Sequence, residues 1–302
     1  MDLSGTVVPM ATPVESDGRG VDEAVLRAFT RSLVDGGVHG LFPGSSIGEF
    51  PSLTDDQIRT VVETVVEVAG GGTTVIAGCC NTSVGDVCAL VGTAADAGAD
   101  AAVVVTPYYL TTTQRGLVRF FERVAEDSPL PLLLYNIPSL TGNRLTVETV
   151  TELSEVESIV GLKDTSGNLA YQHEVIRATP ASFAVFSGAT ASAAASLDLG
   201  ADGLIAGPAN VFPAELAALY EAHARGDRAT VADLVGEVVL PTVSAYERTP
   251  TAAAIKYLVT LDRLDLGDPL PPLAPLSAGE RDRLERRYRE VAERVEATAR
   301  RQ

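Results

Sequence analysis

Ile159-Val160-Gly161-Leu162-Lys163-Asp164-Thr165 is an apolar run that carries one lysine. Its apolar residues are continuous, not alternating. That pattern belongs to a strand covered on both faces, as in a parallel sheet. Working outward, similar runs rich in Val, Ile and Leu occupy residues 5–13, 40–45, 73–80, 101–107, 130–138, 183–188 and 203–207. Helical periodicity separates each pair. Eight strand–helix units in series predict an α/β chain folded as a closed (β/α)8 TIM barrel, with a doubly wound open sheet as the competing arrangement.

The segment before the third run shows the local signals. Thr54 with Gln57 three residues later reads as a capping box, and Leu53 with Ile58 as a hydrophobic staple. Asp55 and Asp56 suit the positive end of the helix dipole. Ile58, Val61, Val62, Val65, Val66 and Ala69 then share one helical face, and Gly70-Gly71-Gly72 closes the helix. Beyond the eighth run, three further helices are expected at about 228–245, 251–261 and 278–300, the last two separated by the proline-rich stretch 268–275. The expected organisation is a barrel over residues 1–225 and a helical extension over 226–302 packed on it, with no independent second domain.

The 302 residues are 46% apolar, enough for one large core, but only 5% aromatic. Forty acidic against 23 basic residues leave a formal net charge of −17. Nucleic acid is a poor partner for such a surface. No uncharged apolar run is long enough to span a bilayer, and the N-terminus lacks the basic start and apolar stretch of a signal peptide, so a cytoplasmic enzyme is expected. An acidic surface with only two lysines, Lys163 and Lys256, suggests a high-salt cytosol that screens self-repulsion. Cys79, Cys80 and Cys88 have no second cluster to complete a zinc site and read as small buried residues. His39, His173 and His223 fall away from strand ends and read as surface or structural.

Catalytic groups of a barrel gather at the C-terminal ends of its strands. The reactive residues closing these runs are Ser45 and Ser46, Tyr108 and Tyr109, Tyr135, and Lys163. An ammonium inside a buried strand is costly, and burial favours the neutral amine, which attacks carbonyls. Arginine cannot replace it in a Schiff base. The plainer alternative is a lysine paired with Asp164. Tyr135 offers a phenol for proton transfer, or is a core aromatic with a satisfied hydroxyl. Gly44-Ser45-Ser46-Ile47-Gly48-Glu49 can hold a carboxylate through hydroxyls and backbone N–H groups; it lacks the lysine of a phosphate-binding loop.

Four motifs in this order resemble the dihydrodipicolinate synthase / N-acetylneuraminate lyase family: Gly-Ser-Ser-Ile-Gly-Glu, Thr106-Pro107-Tyr108-Tyr109, Tyr135-Asn136-Ile137-Pro138 and Gly161-Leu162-Lys163-Asp164. Gly200-Ala201-Asp202-Gly203-Leu204-Ile205, with Asn210 and Pro213 downstream, extends the likeness over nearly the whole chain. The resemblance implies a pyruvate-dependent class I aldolase. Lys163 would be the Schiff-base lysine, Tyr135 the proton-shuttling phenol, Ser46 its relay partner, and Tyr109 a relay group reaching in from a neighbouring subunit. Ser45 and Ser46 would hold the pyruvate carboxylate, with Gly188 and Ile205 lining its pocket. It further implies a homotetramer built as a dimer of dimers, a small keto acid as substrate, no metal, and no cofactor beyond the covalent imine.

Within the family, Leu140 stands where the synthase has an arginine for the carboxylate of aspartate semialdehyde. An unpaired buried charge there would cost on the order of 2–5 kcal/mol. Lys163-Asp164-Thr165-Ser166 looks more like 2-keto-3-deoxygluconate aldolases, and the hydroxyls of Ser139, Thr165 and Ser166 would suit a polyol aldehyde. The expected activity is therefore cleavage of 2-keto-3-deoxygluconate or its 6-phosphate to pyruvate and glyceraldehyde or its 3-phosphate. The alternatives are 4-hydroxy-tetrahydrodipicolinate synthase and another pyruvate-dependent lyase or dehydratase of the family. A keto-acid binder without turnover is the non-enzymatic alternative. Arg248 is a candidate for reaching a substrate phosphate, more ordinarily a partner for a glutamate.

Overall fold

The computed structural model describes residues 3–16 and 18–299. Eight parallel strands close on themselves in chain order: β1 (Gly5–Pro9), β2 (Gly40–Phe42), β3 (Thr74–Gly78), β4 (Ala101–Val105), β5 (Leu132–Asn136), β6 (Ile159–Asp164), β7 (Ala184–Ser187) and β8 (Gly203–Ile205). The last strand pairs back to the first, Val7 opposite Ile205. The chain is a TIM barrel, and the open-sheet alternative is excluded by that closure. The strands are shorter than their apolar runs. Residues just past several strands, such as 10–13, 43–45, 79–80 and 106, stay buried as they turn over the barrel top.

Alternation within each strand divides the core. Val7, Phe42, Ile76, Val103, Leu133, Phe186 and Ile205 point into the barrel. Ala77, Ala102, Val104, Leu134, Leu162 and Val185 point outward, where helices cover them. The helix Asp55–Ala69 forms as its sequence predicts. The Thr54 hydroxyl accepts from the Gln57 N–H at 3.2 Å, and the Gln57 side chain accepts from the Thr54 N–H at 2.8 Å. Gly70 ends the helix at φ 61°, a left-handed conformation open to glycine.

After β8 come helices Pro213–Ala224, Arg228–Leu234, Leu240–Tyr246, Thr251–Asp262 and Ala278–Ala299. The expected single helix over 228–245 is interrupted by a π-helical turn, Val235–Val239. Pro241, with no N–H to donate, sits just beyond that turn. The last helix reaches Ala299, and Arg300 lies outside the described residues. Among the described residues no helix is long and apolar enough to cross a membrane. Cys79 and Cys80 are buried thiols, but Cys88 is exposed: it sits on the solvent face of helix Val84–Asp96, so its expected burial is corrected. His39 and His223 are structural, paired with Glu221 at 3.0 Å and Asp198 at 3.1 Å.

Candidate active site

β5 and β6 set the central geometry. Their register places Tyr135 opposite Lys163, and Lys163 opposite Phe186 on β7. All three side chains therefore fall on the inner face. Lys163 is 4% exposed and Tyr135 2%. The Lys163 Nζ lies 3.9 Å from the centre of the Tyr135 ring and 4.9 Å from that of Phe42. Among the described residues no carboxylate forms an ion pair with Lys163. The alternative partner, Asp164, faces the other way by strand alternation.

Asp164 instead ties the two strands together from outside. It accepts from the Asn136 side chain at 2.8 Å and from the Ser166 hydroxyl at 2.8 Å. Burial raises its carboxyl pKa, and those hydrogen bonds oppose the rise. Asn136 also accepts from the Leu145 N–H at 3.1 Å. The pair Asn136–Asp164 thus fixes from behind the backbone on which Tyr135 and Lys163 stand.

Lys163 and Tyr135 open into a cavity of about 740 Å³ at the C-terminal mouth of the barrel. Ser46, Ile47, Thr165, Gly188 and Ile205 line it, as the sequence led one to expect for all but Ile47. A methyl group on Gly188 would collide with Thr165 Oγ1 and come within 3.1 Å of Lys163 Cε, so only glycine leaves room beside the amine. Thr165 Oγ1 has no protein partner and is free for a ligand. Among the described residues, Lys163 is the only charged side chain in the lining; the other polar groups are hydroxyls.

Other expected residues are not brought there. The Ser45 hydroxyl donates to the Met10 carbonyl at 3.2 Å and accepts from the Gly48 N–H at 3.1 Å, so it stabilises the loop and does not line the cavity. Ser139 lies exposed on the short helix Pro138–Thr141, and Ser166 is taken up by Asp164. Arg248 is exposed and outside the lining. Tyr109 is 93% exposed at φ 74° and points away within its own chain. Its neighbour Tyr108 instead lines a smaller cavity of about 270 Å³ that shares Ser46, and packs edge-on against Phe50 with ring centres 6.2 Å apart. Asn143 clasps this loop, donating to the Pro107 and Leu110 carbonyls at 2.7 and 3.0 Å.

Sequence reasoning missed the far wall. Val243, Tyr246, Thr251, Ala252 and Leu273, all from the helical extension, complete the main cavity. Burial raises the Tyr246 phenol pKa. No motif marks these residues; only the closing of the extension over the barrel mouth brings them in. No group of three or more His, Cys, Asp or Glu that could hold a metal ion occurs among the described residues.

A model of the dihydrodipicolinate synthetase family matches residues 2–290. The chain belongs to this family. A DapA-like lyase of Halobacterium salinarum is 36% identical over 285 residues, covering 94% of this chain and 93% of that protein. The 4-hydroxy-tetrahydrodipicolinate synthase of Acidiphilium cryptum is 37% identical over 275 residues, covering 90% and 93%. YagE of E. coli K12, a dihydrodipicolinic acid synthase family member solved with pyruvate, superposes with a TM-score of 0.91 at 29% identity, covering 96% and 98%. As a member of the dihydrodipicolinate synthetase family the chain is an enzyme, a pyruvate-dependent lyase of the class I aldolase type that works through a lysine imine without an external cofactor.

These relatives overturn one expectation. Those with a named activity are 4-hydroxy-tetrahydrodipicolinate synthases, not 2-keto-3-deoxygluconate aldolases. The physical step that failed is the one from Leu140. That side chain is 68% exposed at the cavity mouth, so a carboxylate beside it stays hydrated and escapes the cost of a buried unpaired charge.

Proposed function

We propose that the chain joins pyruvate to an aldehyde through a Schiff base at Lys163, with aspartate semialdehyde as the aldehyde. The observation that carries this reading is the Lys163 amine, buried without a carboxylate partner, 3.9 Å from the Tyr135 ring in an otherwise uncharged cavity. The Lys163 amine adds to the C2 ketone of pyruvate, and the carbinolamine loses water to give the iminium. Loss of a C3 proton gives the enamine, whose C3 forms the new bond to the aldehyde carbon as that oxygen takes up a proton. Water then releases the product and restores the amine. Tyr135, with Ser46 in the same cavity, carries the protons. Ser46 and the loop's backbone N–H groups hold the pyruvate carboxylate, beside Gly188 and Ile205. The Thr165 hydroxyl contacts the incoming aldehyde. The names of the synthase relatives support the choice of aldehyde.

A second reading, another pyruvate-dependent lyase of the family with an aldehyde that lacks a second carboxylate, draws on the lining itself, where Lys163 is the only cation among the described residues. Steady-state turnover of pyruvate with aspartate semialdehyde, against neutral aldehydes, decides between them. The first reading expects the semialdehyde to have the highest kcat/KM; a neutral aldehyde faster than the semialdehyde would reject it.

We further infer a homotetramer, a dimer of dimers, acting in the cytosol. Tyr109 and Leu110 are large apolar side chains standing 93% and 74% exposed in the single chain, a surface suited to a second copy. Tyr109 then reaches a neighbour's site. Light scattering that returns a monomer would reject the assembly. The free thiols support a reducing compartment.

A further inference from the structure

Both lysines of the chain are buried, and only Lys163 is used by the chemistry above. Lys256 lies in helix Thr251–Asp262, 1% exposed, with its Nζ 2.6 Å from Glu49 Oε1 in an ion pair whose two side chains are each 1% exposed. The other Glu49 oxygen accepts from the Leu270 N–H at 2.6 Å, and Lys256 donates to the Asp268 carbonyl at 3.2 Å. Glu49 itself holds a left-handed backbone, φ 60° and ψ 33°, a conformation that favours glycine.

Three walls of the catalytic cavity meet at this pair. Glu49 ends the loop bearing Ser46 and Ile47, and its N–H donates to the Ser46 carbonyl at 3.2 Å. Lys256 sits one turn beyond Thr251 and Ala252, which line the cavity. Leu270 leads into Leu273, also in the lining. Burying two charges is expensive, and a pair of hydrophobic residues serves stability as well or better. A buried pair linking three cavity walls through a strained residue is suited to fixing geometry instead.

We propose that the Glu49–Lys256 ion pair is a positioning element that holds the Ser46 loop in register with Lys163 and Tyr135. The proposal rests on the function assigned above for its catalytic consequence, though not for its structural one. Removing one partner leaves an unpaired buried charge and unsettles the fold. The informative protein is therefore the double variant E49Q/K256M, in which neither charge remains.

Three measurements are made on wild type and double variant: trapping of pyruvate on Lys163 with borohydride, kcat with pyruvate and aspartate semialdehyde, and amide hydrogen exchange of residues 45–50. In the wild type the Gly48, Glu49 and Phe50 amides should exchange slowly for a loop. In the variant they should exchange faster, pyruvate should still be trapped, and kcat should fall roughly tenfold to a hundredfold, the cost of a small displacement at a reacting centre. A merely structural pair would leave kcat at the wild-type value once the neutral variant folds, and that result would overturn the proposal. Should the variant not fold, wild-type amides at 48–50 exchanging as fast as those of the exposed loop at 110–113 would overturn it as well. A wild type that traps no pyruvate rejects the proposed function instead, and the exchange rates still judge the staple.

Discussion

Tyr135 and Lys163 are Cα partners across β5 and β6, and the lysine amine sits 3.9 Å from the centre of the tyrosine ring. A phenol and an amine so placed on adjacent rigid strands need no loop movement to cooperate. Tyr135→Phe keeps the ring and its packing and removes only the hydroxyl. It should lower kcat by about 10²–10⁴-fold, the usual worth of a positioned proton-transfer group, with little change in Tm. Pyruvate turnover and a melting curve check this. An unchanged kcat would return Tyr135 to a packing role.

Gly188→Ala tests the space beside the amine. The added methyl meets Thr165 Oγ1 and the Lys163 side chain in a cavity wall, not in the helical shell. Turnover should be largely lost while the circular dichroism spectrum stays that of the wild type. A fully active Gly188→Ala enzyme would show that the pyruvate methyl and carboxylate do not occupy this corner.

The cysteines separate by burial. Desolvation pushes the Cys80 thiol up to about 12 and the Cys79 thiol well above its ordinary value. A raised thiol pKa means the protonated form dominates at every pH below it, and the thiolate is the reactive species. Native protein treated with iodoacetamide near pH 8 should therefore be labelled at exposed Cys88 alone. Peptide mass spectrometry reads the site, and labelling of Cys80 in folded protein would contradict the burial described.

The surface carries a formal net charge of −17. Salt screens repulsion between exposed like charges, with a Debye length of about 3 Å at 1 M. Tm should therefore rise as KCl is increased from millimolar to molar. A flat or falling Tm would reject the idea that the acidic surface suits a high-salt cytosol.

The barrel was readable because its strands are covered on both faces. Ile159–Asp164 shows this well: so continuous an apolar run fits a doubly buried strand, and the pairing of Lys163 with Tyr135 and Phe186 then decides that the lysine points inward. Tyr135 and Ser46 followed from their positions at strand ends, whereas Gly188 and Ile205 came only with the family resemblance. Ser45 misled because two adjacent serines look alike in a string, while the tight turn spends one hydroxyl on Met10 and Gly48. Leu140 misled because exposure at the mouth depends on how the short helix Pro138–Thr141 caps the strand, which no periodicity records. Tyr246 and the Glu49–Lys256 pair were invisible for a different reason. Their partners are far apart in sequence, and only the packing of the extension over the barrel brings them together.

The most direct test of the whole account is to reduce the native enzyme with borohydride in the presence of pyruvate and locate the added mass by peptide sequencing. The account predicts a single modified residue, Lys163, and no modification in Lys163→Ala. Modification of Lys256 instead, or an unmodified protein that still turns over pyruvate, would contradict it.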